Sequence, residues 1–182
     1  IDQKFIAEQM DKRKAVGKIS TQRHEADKVE IISGLFEGHT TGTPLTMLIK
    51  NTAQHSNDYQ SLRYRVRPGH ADYTAHVKYH GNQDYRGGGH FSGRLTAPIV
   101  AAGAVAMQLL QTMNIDMGTH ILQCHQIKDN SFSDNKATLK DQIQRLKETE
   151  FPVLEPAIGK DMIQFIEKTA RMKDSVGGVL ET

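Results

Sequence analysis

The chain has 182 residues, a formal net charge of +2 and a composition that is 37% hydrophobic and 24% charged, which predicts a folded globular protein and argues against a disordered one. The near balance of charge argues against general nucleic-acid binding, so we expect any positive site to be local. Because the chain has one cysteine, it forms no internal disulfide, and we expect a reducing compartment such as the cytoplasm.

The predicted elements begin with a short amphipathic helix over residues 2–13, in which Phe5, Ile6 and Met10 recur at helical spacing. A polar, basic loop follows. The β-rich runs VEIISGLF and PLTMLIK flank EGHTTGT, which suits a turn between antiparallel strands. Residues 51–94 are irregular by composition, apart from a short segment around residues 73–79. A loop of that length in a compact domain is usually functional or disordered.

A helix is then predicted from Thr96, its expected N-cap, with Pro98 in the first turn. Its body, IVAAGAVAMQLLQTM, is apolar nearly all round and should be buried. The most apolar part, near residues 97–107, is shorter than the roughly 20 residues that span a bilayer, so we expect no membrane partner. GTHILQCHQI predicts a strand, KATLKDQIQRLKETE and IGKDMIQFIEKTARM predict two amphipathic helices, and DSVGGVLET predicts the start of another strand.

The stretch RPGHADYTAHVKYHGNQDYRGGGHFSGR, residues 67–94, combines four histidines, a glycine triplet and terminal arginines. Three consecutive glycines weaken a helix or strand, which indicates that something approaches the backbone closely. The triplet leads through Ser92 into a predicted helix N-terminus, where N–H groups and the helix dipole favour an anion. A tight turn explains the glycines equally well. Arg67 and Arg94 could each bind a phosphate bidentately, or be solvated or paired with a carboxylate.

The histidines of this stretch allow different interpretations. His70 follows Pro68-Gly69 and precedes Asp72, so a rigid turn would hold an imidazole beside a carboxylate, as suits a general acid or base. A turn histidine bonded to the backbone has equal weight from composition. His76 and His80 have the spacing of a zinc-ligand pair, but no second pair completes a tetrahedral site, and we expect no metal.

Several motifs, taken together, resemble those of the chorismate synthase family. They occur in the family's order with roughly its gaps, and the resemblance covers nearly the whole chain: EADKVEIISGLFEGHTTGTPLTMLI, SNDY, RPGHADYT, DYRGGGHFSGRLTAP, AAGAVA and DSVGG. The resemblance implies an α+β fold, a β-α-β sandwich of antiparallel sheets and buried helices, and a homotetramer. It also implies 1,4-elimination of phosphate from 5-enolpyruvylshikimate 3-phosphate to give chorismate. Reduced FMN would be the cofactor, with NADPH as its reductant in some members.

The resemblance also implies residue roles. His70 matches the histidine taken as an acid near flavin and substrate. The remaining assignments are substrate binding by Arg67, Arg94, Arg13 and Arg23, and cofactor contacts by His90, Phe91, Ser92 and Lys14, the last on a basic loop assigned to the pyridine nucleotide in reducing members. The family's flavin-contacting Arg-Ser-Ser corresponds to residues 90–92, and only its last serine is present here, as Ser92. Lysine at position 14 keeps the charge of the family's arginine but loses its bidentate fork.

By the same resemblance, we expect residues 1–182 to form a single partial domain, truncated at both ends. The family's Gly-Glu-Ser-His-Gly motif, with its first catalytic histidine, would precede Ile1, and further flavin contacts would follow Thr182. We therefore expect this chain alone to be inactive. Two alternatives remain open: a non-catalytic module that binds flavin or phosphate, and a structural protein in which Arg67, His70 and Arg94 are replaceable.

Overall fold

The computed structural model describes residues 1–14, 19, 26–51 and 64–182. The chain divides into two compact units. Unit 1 comprises Ile1–Lys14 and His24–Val105, and unit 2 comprises Ala15–Arg23 and Ala106–Thr182. The assignment of the whole chain to one partial domain stays a prediction.

Unit 1 begins with the predicted amphipathic helix, α1 (Gln3–Arg13). The Asp2 side chain caps it by accepting the N–H groups of Lys4 and Phe5 at 2.8 and 3.2 Å. Its inner face is defined by Ile6 and Met10, each 2% exposed. The spacing of four places these two side chains on one side of the helix, so the sequence pattern and the structure agree.

The two predicted strands form an antiparallel pair in unit 1. β1 (Val29–Ser33) pairs with β4 (Thr46–Ile49), and between them β2 (Leu35–Phe36) pairs with β3 (His39–Thr40). The predicted turn EGHTTGT therefore contributes β3 to an additional short ladder, whose other strand, β2, is the end of the VEIISGLF run. The inward side chains of β1 and β4 pack on α1, so the hairpin and the first helix share one core.

The described part of the irregular segment, residues 64–94, contains three short helical elements. α2 (Asp72–Lys78) lies where a short element was predicted, and 3₁₀ helices follow at Arg86–Phe91 and Gly93–Leu95. The second 3₁₀ helix runs into α3 (Thr96–Thr112). Thr96 already has helical backbone angles, so its predicted role as the N-cap is wrong. Ser92 instead caps the preceding turn, because its hydroxyl accepts the N–H of Arg94 at 3.2 Å.

Helix α3 is buried on its alanine face, and the prediction of burial all round is wrong for the described residues. Ala97, Ala101 and Ala104 are at most 1% exposed, whereas Ile99 and Leu109 are 68% and 58% exposed. The small side chains allow close packing against α1 and the β1–β4 pair, which cover this one face. The larger apolar side chains lie elsewhere on the helix surface.

Our estimate that this apolar stretch is too short to span a membrane is also wrong. Within the described chain, Gly93–Thr112 is one helical segment of 20 residues whose most apolar window has a mean hydropathy of 1.4. Length and composition alone allow a membrane span, but the core helix of a water-soluble protein meets the same two criteria. The lack of a membrane partner therefore stays a prediction.

Unit 2 is a three-stranded antiparallel sheet with two helices. The strand order is β6–β5–β7, from β5 (His120–Cys124), β6 (Ile127–Lys128) and β7 (Gly178–Glu181). The two predicted amphipathic helices are α4 (Lys136–Glu148) and α5 (Pro156–Arg171). Their apolar periodicity of 3.6 residues explains why both formed as predicted.

The core of unit 2 lies where α5 packs on the sheet. Met162 of α5 is fully buried beside Cys124 of β5 and Val153, which precedes α5. Burial raises the pKa of the Cys124 thiol, because desolvation disfavours the thiolate. This cysteine therefore behaves as a small apolar core residue.

Candidate functional site

The RPGH motif forms a tight turn in unit 1. The N–H of His70 donates to the carbonyl of Arg67 at 3.3 Å, and Gly69 has a φ of +72°. Proline at the second position and a glycine of positive φ at the third are the features of a type II turn. Pro68 and Gly69 are thus required by the backbone, and the turn places His70 immediately before α2.

Arg67 and Asp72 close this turn with a bidentate ion pair. The Arg67 guanidinium donates from Nε and Nη2 to the two Asp72 carboxylate oxygens at 2.8 and 2.9 Å, and its backbone N–H donates to Oδ2 at 2.9 Å. The Arg67 hydrogen bonds hold the pKa of Asp72 down at about 2. Asp72 therefore stays ionised at neutral pH.

His70 lies exposed on the turn with one ring nitrogen occupied. Its Nδ1 lies 3.2 Å from the carbonyl oxygen of Pro68. Because a carbonyl can only accept, this contact requires the proton on Nδ1, which leaves Nε2 to exchange a proton with another molecule. The sequence suggested that Asp72 would support the imidazole, but the Asp72 carboxylate is bonded to Arg67 and the backbone carbonyl orients His70.

The predicted flavin-contacting residues lie on the 3₁₀ helices before α3. His90 and Phe91 end the helix Arg86–Phe91, His90 is exposed and Phe91 is 51% exposed. An exposed aromatic ring next to an imidazole and the Ser92 hydroxyl is chemically suited to a flat heteroaromatic group and its polar edge. The chemical types of these three side chains are therefore suited to contacts with a flavin.

Arg13 and Arg94 meet at one buried carboxylate, that of Asp27. Nη1 of Arg13 lies 2.7 Å from Asp27 Oδ2, and Nη1 of Arg94 lies 2.8 Å from Asp27 Oδ1. The second contact is an ion pair whose angles are poor for a hydrogen bond. Arg13 also donates from Nε to the Thr96 hydroxyl at 3.0 Å, and Arg94 donates from Nη2 to the Lys50 carbonyl at 3.1 Å.

The last two predicted site residues have different outcomes. Lys14 follows α1 directly and its ammonium group pairs with Asp11, three residues earlier. Arg23 lies outside the described residues.

A cavity of about 320 Å³ in unit 1 lies between α1 and the start of β1, and Lys14 and Asp27 both border it. Another cavity, of about 290 Å³ between α4 and α5, is lined by none of the predicted site residues.

Sequence reasoning missed Asp27 and the environment of His120. Asp27 is the aspartate of EADK, two residues before β1, and no local pattern in the sequence links it to Arg13 or Arg94. His120 is fully buried, with Nε2 2.8 Å from Glu181 Oε2 and Nδ1 3.4 Å from Asp129 Oδ2. Its carboxylate partners are 9 and 61 positions away along the chain, so no local pattern indicated them.

The described residues of unit 1 thus form two groups of polar contacts. The first is the His70 turn closed by Arg67 and Asp72, and the second is Asp27 with Arg13 and Arg94. A proton-exchanging imidazole and partly exposed guanidinium groups in the same unit are the elements of a site for an anionic small molecule. By its fold and by these two groups of contacts, the chain is an α+β protein with a candidate site for an anionic small molecule.

The comparisons with known proteins identify the family. The family model for chorismate synthase matches residues 1–182. The chain is 43% identical to a chorismate synthase of Aliarcobacter butzleri over 98% of its length, and 42% identical to one of Cytophaga hutchinsonii over 99%. A chorismate synthase of Pyrococcus abyssi is 40% identical over 97% of the chain. The chain therefore belongs to the chorismate synthase family.

The same comparisons define how much of a family member is present. The chain covers 48%, 49% and 47% of these three relatives, so it spans about half the length of the curated relatives it matches. A crystal structure of a chorismate synthase matches 99% of the chain and 49% of its own chain, with a TM-score of 0.70 at 24% identity. This likeness establishes the fold, and the predicted α+β class is confirmed.

Proposed function

We propose that the full-length gene product is a chorismate synthase. It would remove phosphate from 5-enolpyruvylshikimate 3-phosphate by 1,4-elimination and give chorismate, the last common step toward the aromatic amino acids. The observation that carries this proposal is the family match over all 182 residues, which includes the RPGHAD turn and the RGGG segment of unit 1. The described geometry supports it through the two polar groups of unit 1.

His70 is proposed to act on a proton. A 1,4-elimination breaks a C–H bond at one end of a conjugated system and a C–O bond at the other, while the double bond between them shifts. The Nδ1–H contact to the Pro68 carbonyl fixes the tautomer, so Nε2 of His70 can hold or transfer a proton. The Arg67–Asp72 fork keeps the turn that carries this imidazole in one conformation.

The arginines are proposed to bind the substrate's oxyanions. The substrate has one phosphate and two carboxylates, and guanidinium groups bind both bidentately. Arg13 and Arg94 are 21% and 19% exposed in their side chains, so they reach the surface while Asp27 holds them. Positive charge near the phosphate would stabilise the negative charge that develops as it leaves.

The cofactor is proposed to be reduced FMN. When bound, it would supply an electron-rich ring that assists the departure of phosphate without net redox change. The side chains of His90, Phe91 and Ser92 are of chemical types suited to this group, and they would hold it at the 3₁₀ helices. Further proposals from the family are NADPH as the reductant with Lys14 as a contact, substrate binding by Arg23, a homotetrameric assembly and a cytoplasmic location.

Binding and catalysis can be separated in one titration series. The full-length gene product is mixed anaerobically with chemically reduced FMN, with and without 5-enolpyruvylshikimate 3-phosphate, and released phosphate is measured. The proposal predicts phosphate release that requires both compounds. Tight FMN binding without phosphate release, by a folded protein, would favour a non-catalytic flavin-binding module instead.

A further inference from the structure

The cavity of about 290 Å³ in unit 2 lies between α4, α5 and the segment that joins them. Each helix contributes one side, with residues 142, 145 and 146 from α4, and residues 156, 159, 160 and 163 from α5. Both sets follow the spacing of three and four that places side chains on one face of a helix. None of these residues has a part in the proposed function.

The inner wall of this cavity is apolar and closely packed. Leu146 and Val153 are 8% and 7% exposed, and Phe151 and Ile163, which also line the cavity, are half-buried. Gly159 completes the wall, and a Cβ at this position would lie 2.7 Å from Val153 Cγ2. Because position 159 has no side chain, α5 can approach the joining segment closely. The wall therefore offers an apolar surface to the body of a small ligand.

The joining segment that closes the cavity is tied to the sheet of unit 2. The Asp129 carboxylate, just after β6, accepts the N–H groups of Leu154 and Glu155 at 2.6 and 3.2 Å. The Pro152 carbonyl accepts the N–H of Ile121 in β5 at 2.7 Å. These bonds hold the segment in place without a ligand, so the cavity is formed in advance and a ligand does not have to order it.

The neutral polar side chains of the cavity already have partners. Oε1 of Gln142 accepts the N–H of Ser133 at 3.0 Å, and the Thr149 hydroxyl donates to the Arg145 carbonyl at 2.7 Å. Specific polar contacts to a ligand are therefore left to the charged side chains.

Three exposed charged side chains line the cavity: Arg145 from α4, Lys160 from α5 and Glu150 from the joining segment. Within the described part of the chain, none of the three forms an ion pair, either with another of the three or with a different residue. Charges of both signs at one cavity are thus available to a ligand. A ligand that carries both signs itself would satisfy all three.

We propose that this cavity is a binding site for a small apolar α-amino acid in its zwitterionic form. The side chain of the ligand lies against the apolar wall, its carboxylate contacts Arg145 and Lys160, and its ammonium group contacts Glu150. A cavity of roughly 150 Å³ admits a benzene ring, so the larger volume here is sufficient for one ring or a branched aliphatic chain with its charged groups at the opening. The site goes beyond the proposed function and does not depend on it.

The first measurement is methyl NMR of the full-length gene product, titrated with L-phenylalanine as the probe. The methyl signals of Ile163 and Val153, assigned by conservative substitution, report the apolar wall directly. We expect saturable shifts at both residues with a Kd on the order of 1 mM or tighter. An absence of shifts at ligand concentrations well above that value overturns the proposal, because the cavity is then closed or filled by another part of the protein.

Two analogues of the probe test the need for both charges in the unaltered protein. 3-Phenylpropionate lacks the ammonium group and 2-phenylethylamine lacks the carboxylate, while both keep the ring. Because an exposed charge contact changes Kd by up to about fivefold, we expect each analogue to bind at least about threefold more weakly than L-phenylalanine. An analogue that binds as tightly as L-phenylalanine overturns the assignment of a zwitterion.

The cations are tested with a matched pair of double variants. Arg145→Gln/Lys160→Gln should raise the Kd of L-phenylalanine at least about fivefold. Lys140→Gln/Lys168→Gln makes the same change of charge on the same two helices, at exposed residues that do not line the cavity, and should leave Kd unchanged. Equal Kd values for the two double variants overturn the proposal.

The carboxylate is tested by a change in discrimination. Glu150→Gln should weaken the binding of L-phenylalanine at least about threefold and should not weaken that of 3-phenylpropionate, so the two ligands become nearly equal. If the variant prefers L-phenylalanine as strongly as the wild type does, Glu150 does not bind the ammonium group and the proposal fails. Since all the substituted residues are exposed, we expect the circular dichroism of each variant to match that of the wild type.

Discussion

Arg67 and Asp72 are joined by three hydrogen bonds across the turn that carries His70, two from the guanidinium and one from the backbone N–H. The pair thus joins the first and last residues of the RPGHAD motif and fixes the conformation of the turn between them. Since both side chains are mostly buried, at 27% and 21% exposed, the fork is shielded from much of the screening that weakens surface pairs.

The first prediction concerns the pKa of Asp72. Arg67→Ala removes the two guanidinium hydrogen bonds, which are the main reason that this pKa is held at about 2, and keeps the bond from the backbone N–H, so the pKa should rise part of the way toward the ordinary value of 3.8. A ¹³C NMR titration of the Asp72 carboxyl carbon in the full-length gene product measures the change. A pKa that stays near 2 in the variant would show that another group holds it down.

The same pair should affect acid stability with a definite sign. A carboxyl group whose pKa is lower in the folded state stabilises the fold above its unfolded pKa, and this contribution is lost as the pH falls toward about 2. Asp72→Asn should therefore destabilise the protein more at pH 6 than at pH 2. The control is Asp84→Asn, which breaks a pair with Arg86 that is about half exposed and so should matter less.

The second prediction concerns His70. In the full-length gene product, His70→Ala should lower turnover by roughly 10²–10⁴-fold, the usual range for a group that transfers a proton. The fold should be unchanged, because the imidazole is exposed. Rapid-mixing kinetics with pre-reduced FMN and circular dichroism measure the two effects.

His39→Ala is the matched control for this variant. His39 is also exposed in unit 1, and its Nδ1 contacts the carbonyl two residues earlier, that of Glu37, at 3.0 Å. The two histidines therefore share the same local hydrogen bond and differ in their place in the molecule. Equal rates for both variants and the wild type would remove His70 from the mechanism.

Most of the secondary structure could be predicted from the sequence because its signals are local. The apolar periodicity of α1, α4 and α5 and the β-rich composition of β1 and β4 identify these elements without tertiary information. The burial of α3 could not be predicted in this way. Its uniform apolar composition shows that the helix can be buried. Which of its faces is buried depends on packing partners that are distant in sequence.

The site was predictable in its motifs and less so in its contacts. Pro68 and Gly69 specify the turn that carries His70, since each suits one defined position in it. The pairing of Arg13 with Arg94 through Asp27 joins residues up to 81 positions apart, because 94 − 13 = 81, and no spacing rule links them. The sequence therefore indicated which residues carry charge, and the fold determined which of them meet.

The third prediction concerns Gly34, between β1 and β2. Its φ is +83°, and a Cβ there would lie 2.6 Å from the Cα of Leu45, so Gly34→Ala requires the backbone to move. We expect a loss of about 1–3 kcal/mol in the free energy of unfolding, measured with urea. Gly103→Ala in α3, where a Cβ meets no atom within 4 Å, should instead stabilise by about 0.5–1 kcal/mol. Equal effects of the two substitutions would contradict this account.

The fourth prediction concerns the buried His120 of unit 2. Its hydrogen bond is the main reason that the pKa of Glu181 is lowered, followed by the N–H of Phe132. His120→Ala should therefore raise the pKa of Glu181, as measured by NMR titration, and reduce stability most at a pH above that pKa. His125→Ala, which removes an exposed ring stacked on Phe165, should leave the Glu181 pKa unchanged. Similar titration curves in both variants would show that His120 is not the cause.

The most direct test of the proposed function is anaerobic formation of chorismate by the full-length gene product. The protein, shown to be folded by circular dichroism, is mixed with 5-enolpyruvylshikimate 3-phosphate and chemically reduced FMN, and the product is followed by its absorbance and identified by mass spectrometry. We predict chorismate and phosphate in equal amounts, with no product when reduced FMN is omitted. A folded protein that binds the substrate and the reduced flavin but forms no chorismate would contradict the proposal.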